Sequence, residues 1–145
     1  MIGIIGAMEI ETDGLISIMT DSFVKSVGSY NFVKGKICGK EAVVCRCGIG
    51  KVFSSTAAVL MIALFEPETI INLGVAGGAK PLKQGDIVVS ERTVQHDYDA
   101  TADGLEKGRV HGFESPFFDC DRAAVGQLCE VLERLGYKYK VGTIA

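Results

Sequence analysis

Residues 2–11 read IGIIGAMEIE, an apolar run followed by a glycine turn and two carboxylates. Ile2–Ile5 has the length and composition of a short buried strand, and Gly6 closes it. Apolar side chains then recur on one side of Glu9–Met19, which predicts a helix. A strand that turns through glycine into a helix indicates the opening of an α/β unit.

The rest of the chain repeats this alternation. Thr69–Asn72 is another short apolar strand, and it runs into the glycine-rich loop Gly74–Gly78. Further strands are predicted at Phe32–Cys38 and Glu41–Cys47, joined as a hairpin around Gly39-Lys40, and at Ile87–Ser90 and Tyr139–Ala145. The pattern predicts an α/β fold with a largely parallel or mixed central sheet flanked by helices, in one domain over residues 1–145.

Two more helices are predicted. Lys51–Phe65 is apolar on most sides and ends before Pro67, so we expect a buried helix. Arg122–Leu135 carries apolar residues at three- and four-residue steps. Asp121 is its candidate N-cap, and Gly136 is its candidate C′ residue.

A ligand site is expected where strands end in glycine loops. Ligands of open α/β sheets bind at the carboxyl ends of the strands. Two predicted strands end there, in Gly6–Glu9 and Gly74–Gly78, which favours a site between these loops. Glu9 and Glu11 are typical of the first turn of a helix, where the dipole favours acidic residues. One of them could equally project into the crevice as a general base, and their spacing leaves both interpretations open.

Composition excludes several function classes. The chain has 145 residues, a formal net charge of −3 and no basic stripe, which disfavours nucleic acid as a partner. Apolar stretches such as Ala57–Phe65 are too short to cross a bilayer. No basic region precedes the N-terminal apolar run, which argues against a secretory signal, so we expect a cytoplasmic protein. The five cysteines lack CxxC spacing and are expected to be reduced thiols.

No cofactor or metal motif is complete. Gly50-Lys51 lacks both the first glycine of a P-loop and its Ser or Thr, and no glycine cluster forms GxGxxG. On a strand His96 and Asp97 would point to opposite faces, and His111 is distant in sequence, which gives too few ligands for a metal. We therefore predict no metal and no cofactor.

Four segments of the sequence form a distinctive set: residues 2–11 (IGIIGAMEIE), 47–52 (CGIGKV), 70–78 (IINLGVAGG) and 85–90 (GDIVVS) with His96-Asp97. Together they resemble the 5′-methylthioadenosine/S-adenosylhomocysteine nucleosidases, which are members of the nucleoside phosphorylase superfamily. They occur in the family's order and with similar spacing over nearly the whole chain. The resemblance implies a nucleoside phosphorylase-like fold and hydrolysis of the N-glycosidic bond of adenine thionucleosides.

The resemblance also implies roles for individual residues. Glu11 would activate the attacking water, and Met8 would pack beside the ribose and that water. Val75, Ala76 and Gly77 would line the nucleoside pocket. No cofactor is implied, and the expected partners are the small-molecule thionucleoside and a second copy of the chain in a homodimer.

The sequence departs from the family at three points. Val75 stands where Ser or Thr is common, so a hydroxyl contact is lost. In the family, the segment equivalent to Ala102–Phe118 lends apolar side chains to the partner subunit's thioalkyl pocket, which Asp103 fits poorly. Members also continue past residue 145 into an adenine-clamping loop, a ribose-binding Glu and an Asp for the leaving base. The resemblance thus implies an incomplete domain, catalytically incomplete on its own.

Three alternatives remain open at this point. A phosphorylase of the same superfamily needs cations around phosphate, and Arg46 is the only nearby candidate beside Glu9 and Glu11. A futalosine hydrolase shares the water-activating logic and differs mainly in its pocket. A non-catalytic binding or interaction module could keep the dimer surface and part of the nucleoside pocket.

Overall fold

The computed structural model of the protein describes residues 1–145 and divides the chain into two compact units, Met1–Val75 and Ala76–Ala145. The elements of the first unit are β1 (Ile2–Gly6), α1 (Glu9–Ser17), β2 (Thr20–Val27), β3 (Tyr30–Ile37), β4 (Lys40–Arg46), α2 (Lys51–Phe65) and β5 (Thr69–Asn72). Its five-stranded sheet has the order β2-β3-β4-β1-β5. β1 runs parallel to both β4 and β5, whereas β2, β3 and β4 form an antiparallel meander. The predicted mixed α/β fold is confirmed.

The core of the first unit lies where α2 packs against β1 and β4. Phe32, Val43 and Met61 are fully buried there. α2 approaches so closely that a Cβ added to Gly3 would lie 2.5 Å from Sδ of Met61. A glycine in β1 is therefore what allows the helix to sit this near the sheet.

The prediction that α2 is a buried helix is wrong for most of its surface. Its bounds are those predicted, but its only buried residues are Ala57 and Met61. Val52, Val59 and Ile62 are 78%, 64% and 54% exposed. One sheet face covers only one stripe of a helix, so the other apolar sides of α2 have nothing to pack against within this unit.

The sequence pattern predicts no strand where β2 forms. β2 is an edge strand whose residues are largely exposed, and Phe23 and Val24 are adjacent rather than alternating. A register shift between Thr20 and Phe23 accompanies Asp21 at φ 53°. Because periodicity of two reports a half-buried face, an exposed and irregular edge strand leaves no such signal.

The second unit contains β6 (Ile87–Val94), a 3₁₀ turn (Thr101–Asp103), β7 (Phe117–Asp119), α3 (Arg122–Arg134) and β8 (Tyr139–Ile144). Its sheet has the order β7-β6-β8, with β6 antiparallel to β7 and parallel to β8. α3 begins as predicted, because the Ala124 N–H donates to Oδ1 of Asp121 at 2.7 Å. The longest helix of the chain is α2, with 15 residues, and none of its helices has the length and apolarity to cross a bilayer.

Candidate functional site

Three loops of the first unit meet at the carboxyl ends of β1, β4 and β5. The Leu73 N–H donates to the Ile5 carbonyl at 2.9 Å, and the Cys47 N–H donates to the Gly6 carbonyl at 2.9 Å. These bonds extend the parallel pairing beyond the ends of the strands. The loop after β1 and the first residues of the loop after β5 are therefore neighbours, as the sequence predicts.

Glu11 joins these two loops. It lies in the first turn of α1, where Oε2 of its carboxylate accepts hydrogen bonds from the Ala7 N–H at 2.7 Å and the Met8 N–H at 2.9 Å. Oε1 accepts a third from the Val75 N–H at 2.9 Å. Glu11 therefore accepts hydrogen bonds at the start of its own helix and also binds the loop after β5. Its role as a general base remains a prediction.

The hydrogen bonds keep Glu11 ionised. The pKa of Glu11 is lowered from its ordinary value, chiefly by the Val75 N–H and further by the Met8 and Ala7 N–H groups, while partial burial opposes the change. A carboxylate offers about four acceptor positions, two on each oxygen. Two bonds fill Oε2 and one falls on Oε1, so Oε1 retains acceptor capacity for a water proton.

A shallow cleft of about 640 Å³ opens beside the first loop. It is lined by Ala7, Met8, Glu9 and Ile10 from that loop and by Arg46, Gly48 and Ile49 around the end of β4. Nη1 of Arg46 lies 2.7 Å from Oε1 of Glu9 and 3.8 Å from Oδ1 of Asp13. The Arg46 guanidinium, which lines this cleft, thus forms ion pairs with two carboxylates of α1.

The predicted site residues fall into two groups. Glu11, Met8 and Val75 come together in the first unit, with Met8 half-buried and the Val75 side chain exposed. Ala76 and Gly77 belong to the second unit, where both are exposed. The pocket roles of Met8, Val75, Ala76 and Gly77 remain predictions.

Two residues near Glu11 carry no individual signal in the sequence. Gly74 lies against the carboxylate, since a Cβ added there would be 2.8 Å from Oε1 of Glu11. Cys47 is buried at the end of β4, and burial together with the charge of Glu11 raises the pKa of its thiol. The glycine run 74–78 predicts that the backbone of this loop approaches another group closely, but it does not indicate that Gly74 contacts Glu11. Nothing in the pattern of the cysteines distinguished Cys47.

Asp103 takes part in a polar network of the second unit. Its Oδ2 lies 3.2 Å from Nε2 of His111, and Nδ1 of His111 lies 2.8 Å from the Tyr98 hydroxyl. Asp103 and His111 are exposed, whereas Tyr98 is half-buried. No group of three or more His, Cys, Asp or Glu side chains converges in an arrangement that could hold a metal ion.

Fold and site together define an α/β protein that holds an ionised carboxylate over the carboxyl edge of a mixed sheet. The family model of the phosphorylase superfamily matches residues 1–145, and the chain belongs to that superfamily. The superfamily that the four segments implied is thereby confirmed.

Individual relatives within the superfamily are named as nucleosidases. The chain is 40% identical over 144 residues to a 5′-methylthioadenosine/S-adenosylhomocysteine nucleosidase of Haemophilus influenzae (strain PittEE), which covers 99% of this chain and 62% of the relative. A Shewanella loihica protein of the same name is 43% identical over 136 residues, which covers 93% of this chain and 59% of the relative. The chain therefore spans less than two thirds of the length of these relatives.

Solved structures that are similar to this chain are also nucleosidases. The S-adenosylhomocysteine nucleosidase of Streptococcus pyogenes in complex with 5-methylthiotubericidin is 36% identical with a TM-score of 0.92, over 99% of this chain and 61% of that one. A Colwellia psychrerythraea nucleosidase in complex with adenine is 35% identical with a TM-score of 0.93, over 98% of this chain and 60% of that one.

Proposed function

We propose that this chain is part of a nucleosidase that hydrolyses the N-glycosidic bond of 5′-methylthioadenosine or S-adenosylhomocysteine and releases adenine. The observation that carries the proposal is Glu11, an ionised carboxylate anchored by three backbone N–H groups with capacity left on Oε1. The names of the relatives support the same activity.

The chemistry requires a base for water. In the proposed reaction the bond between the ribose anomeric carbon and the adenine nitrogen breaks, and water adds to that carbon through an oxocarbenium-like transition state. Oε1 of Glu11 accepts one water proton, and the leaving adenine takes up a proton as it departs. The resemblance assigns the acid for adenine and the ribose-binding carboxylate to the later segment of the family domain.

Water is favoured over phosphate as the nucleophile. Phosphorolysis needs cationic groups around a dianion, and Arg46 is the cation at the rim of the cleft. Glu9 and Asp13 already pair with Arg46, and Glu11 adds another negative charge nearby. This electrostatic environment repels phosphate, so hydrolysis is the better supported reaction within the superfamily.

The nucleoside pocket is proposed around the same loops. By the resemblance, Met8 would contact the ribose and the attacking water. It is the N-cap residue of α1, whose first turn carries Glu11. Val75, Ala76 and Gly77 would line the pocket, with the exposed Val75 side chain offering apolar contact in place of a hydroxyl. The ligands named for the solved relatives, 5-methylthiotubericidin and adenine, are of the chemical class that such a pocket would take.

A homodimer in the cytoplasm is proposed as the setting of this activity. The exposed apolar side chains of α2 support self-association, since a contiguous apolar face on a helix is typical of an interface. All five cysteines are free, which is typical of proteins in a reducing compartment.

Adenine release from 5′-methylthioadenosine tests the proposed function. The assay should follow a single turnover with the chain in excess, so that a slow chemical step is still measured. We expect adenine release above the background rate, and release that falls to background in Glu11→Gln. Equal release by the two proteins would contradict the proposal. Ribose 1-phosphate formed in phosphate buffer would indicate a phosphorylase.

A further inference from the structure

The space beneath the Glu11 carboxylate exists only because residue 74 has no side chain. A Cβ built on Gly74 would lie 2.8 Å from Oε1, 3.1 Å from Cδ and 3.4 Å from Oε2 of Glu11. All three of its nearest neighbours are therefore atoms of this one carboxylate. The backbone of Gly74 is not in the left-handed region, so conformational freedom does not explain the glycine.

We propose that Gly74 is a positioning residue for Glu11: by leaving this space empty, it lets the carboxylate lie flat against the loop after β5 and bind the Val75 N–H. The catalytic meaning of this role rests on the proposed function of Glu11 as the base. The positioning itself does not, because it concerns only the geometry of the carboxylate.

Filling the space would chiefly change the orientation of the Glu11 carboxylate. The atoms that a Cβ would meet are the far end of a flexible side chain, which can swing away without moving the backbone. Swinging away breaks the bond to the Val75 N–H and weakens those to Ala7 and Met8. A misplacement of about 1 Å at a reacting group can cost about 10²-fold in rate.

Gly6 provides the contrast. A Cβ there would meet Cγ2 of Thr12 at 2.7 Å, Cβ of Glu11 at 3.3 Å and the Leu73 carbonyl oxygen at 3.3 Å. Thr12 is fully buried, and the other two atoms are held by the helix and the loop backbone. Gly6 is thus required by packing, whereas Gly74 is required by the placement of one carboxylate.

The pKa of Glu11, measured by carbon-detected NMR titration of its carboxyl group in the full chain, tests the proposal. We expect Gly74→Ala to move this pKa up toward that of an ordinary glutamate, with a fall in the thermal midpoint at pH 7 no larger than that of Glu11→Gln. Gly14→Ala is the matched control, since it adds the same methyl group to α1 where nothing lies within 4 Å. An unchanged pKa of Glu11 in folded Gly74→Ala would overturn the proposal.

A double-mutant cycle with Glu11→Asp covers the case in which Gly74→Ala fails to fold. Aspartate is one methylene shorter and withdraws the carboxylate from residue 74, so Gly74→Ala should have little further effect in that background. Restored folding in the double variant supports the proposal, and a double variant that still fails to fold overturns it.

In the single-turnover assay, Gly74→Ala should slow adenine release about 10²-fold with little change in substrate affinity. If Glu11→Gln itself leaves release unchanged, the proposed function fails, while the titration still decides the role of Gly74. If Glu11→Gln abolishes release but Gly74→Ala does not slow it, the positioning proposal fails alone.

Discussion

The Val75 N–H donates to Oε1 of Glu11 at 2.9 Å, although 64 residues separate the two in sequence. This bond ties the helix that follows β1 to the loop that follows β5. It is also the largest cause of the lowered pKa of Glu11. The ionisation of Glu11 is therefore set by backbone geometry, which the parallel pairing of β1 with β5 fixes.

Val75→Pro should raise the pKa of Glu11, because proline has no N–H to donate. Val75→Ala keeps the N–H and removes only an exposed side chain, so the pKa of Glu11 should stay lowered. A carboxyl NMR titration of the two variants measures the difference. Equal pKa values in both would show that the Val75 N–H does not control Glu11.

The stability of the fold should depend on the charge of Glu11. Because folding lowers this pKa, the carboxylate stabilises the fold fully above its unfolded-state pKa, about 4.3, and the contribution is lost as pH falls through the folded pKa. Glu11→Gln should thus lower the urea midpoint at pH 7 and differ less from wild type below about pH 4. A difference that is constant across this range would contradict the linkage.

The sequence predicted the parts of this site that report burial and order along the chain. It predicted β1, β5, α1 and the glycine loops after both strands, because short apolar runs and the glycines that end them are local signals. The bond between Glu11 and Val75 joins residues far apart in the chain. The sequence marks Gly74 only as one glycine of a loop, since only the folded geometry brings the Glu11 carboxylate against it.

Burial could be predicted only where a partner surface exists. α2 is apolar enough for a buried helix, yet the first unit covers just the stripe around Ala57 and Met61. β2 carries no alternation because it is an exposed edge with a register shift near Asp21. Hydropathy reports what a segment can bury, and the neighbours available to it decide what is buried.

Freeing Arg46 should create phosphate binding that the wild-type protein lacks. Glu9→Gln together with Asp13→Asn removes both carboxylates that pair with the guanidinium. Phosphate binding should then appear in a titration followed by NMR of the Arg46 side chain. Adding Arg46→Met should abolish the gain. Phosphate binding of equal strength in the wild-type protein would instead favour a phosphorylase.

The exposed face of α2 should hold two copies of the chain together. Val59 is 64% exposed at the middle of this apolar helix, and Val59→Glu would place a charge in the proposed interface. Sedimentation velocity should show a dimer for the wild-type chain and a monomer with unchanged circular dichroism for the variant. Val24→Glu, which makes the same change at a similarly exposed valine of the edge strand β2, is the control for a change of surface charge. A wild-type monomer at all concentrations would contradict the dimer.

Gly3→Ala should destabilise the first unit. The added Cβ would lie 2.5 Å from Sδ of Met61 and 3.2 Å from Cγ1 of Ile70, between the sheet and α2. Overpacking of this kind costs about 1–3 kcal/mol, and urea unfolding should show that loss. Gly14→Ala adds the same methyl group in open space and should instead stabilise α1 by about 0.5–1 kcal/mol.

Combining Gly3→Ala with Met61→Ala should cost less than the sum of the two single changes, because the clash and the cavity compensate each other. Strictly additive losses would mean that α2 does not depend on glycine at this position for its close approach to β1.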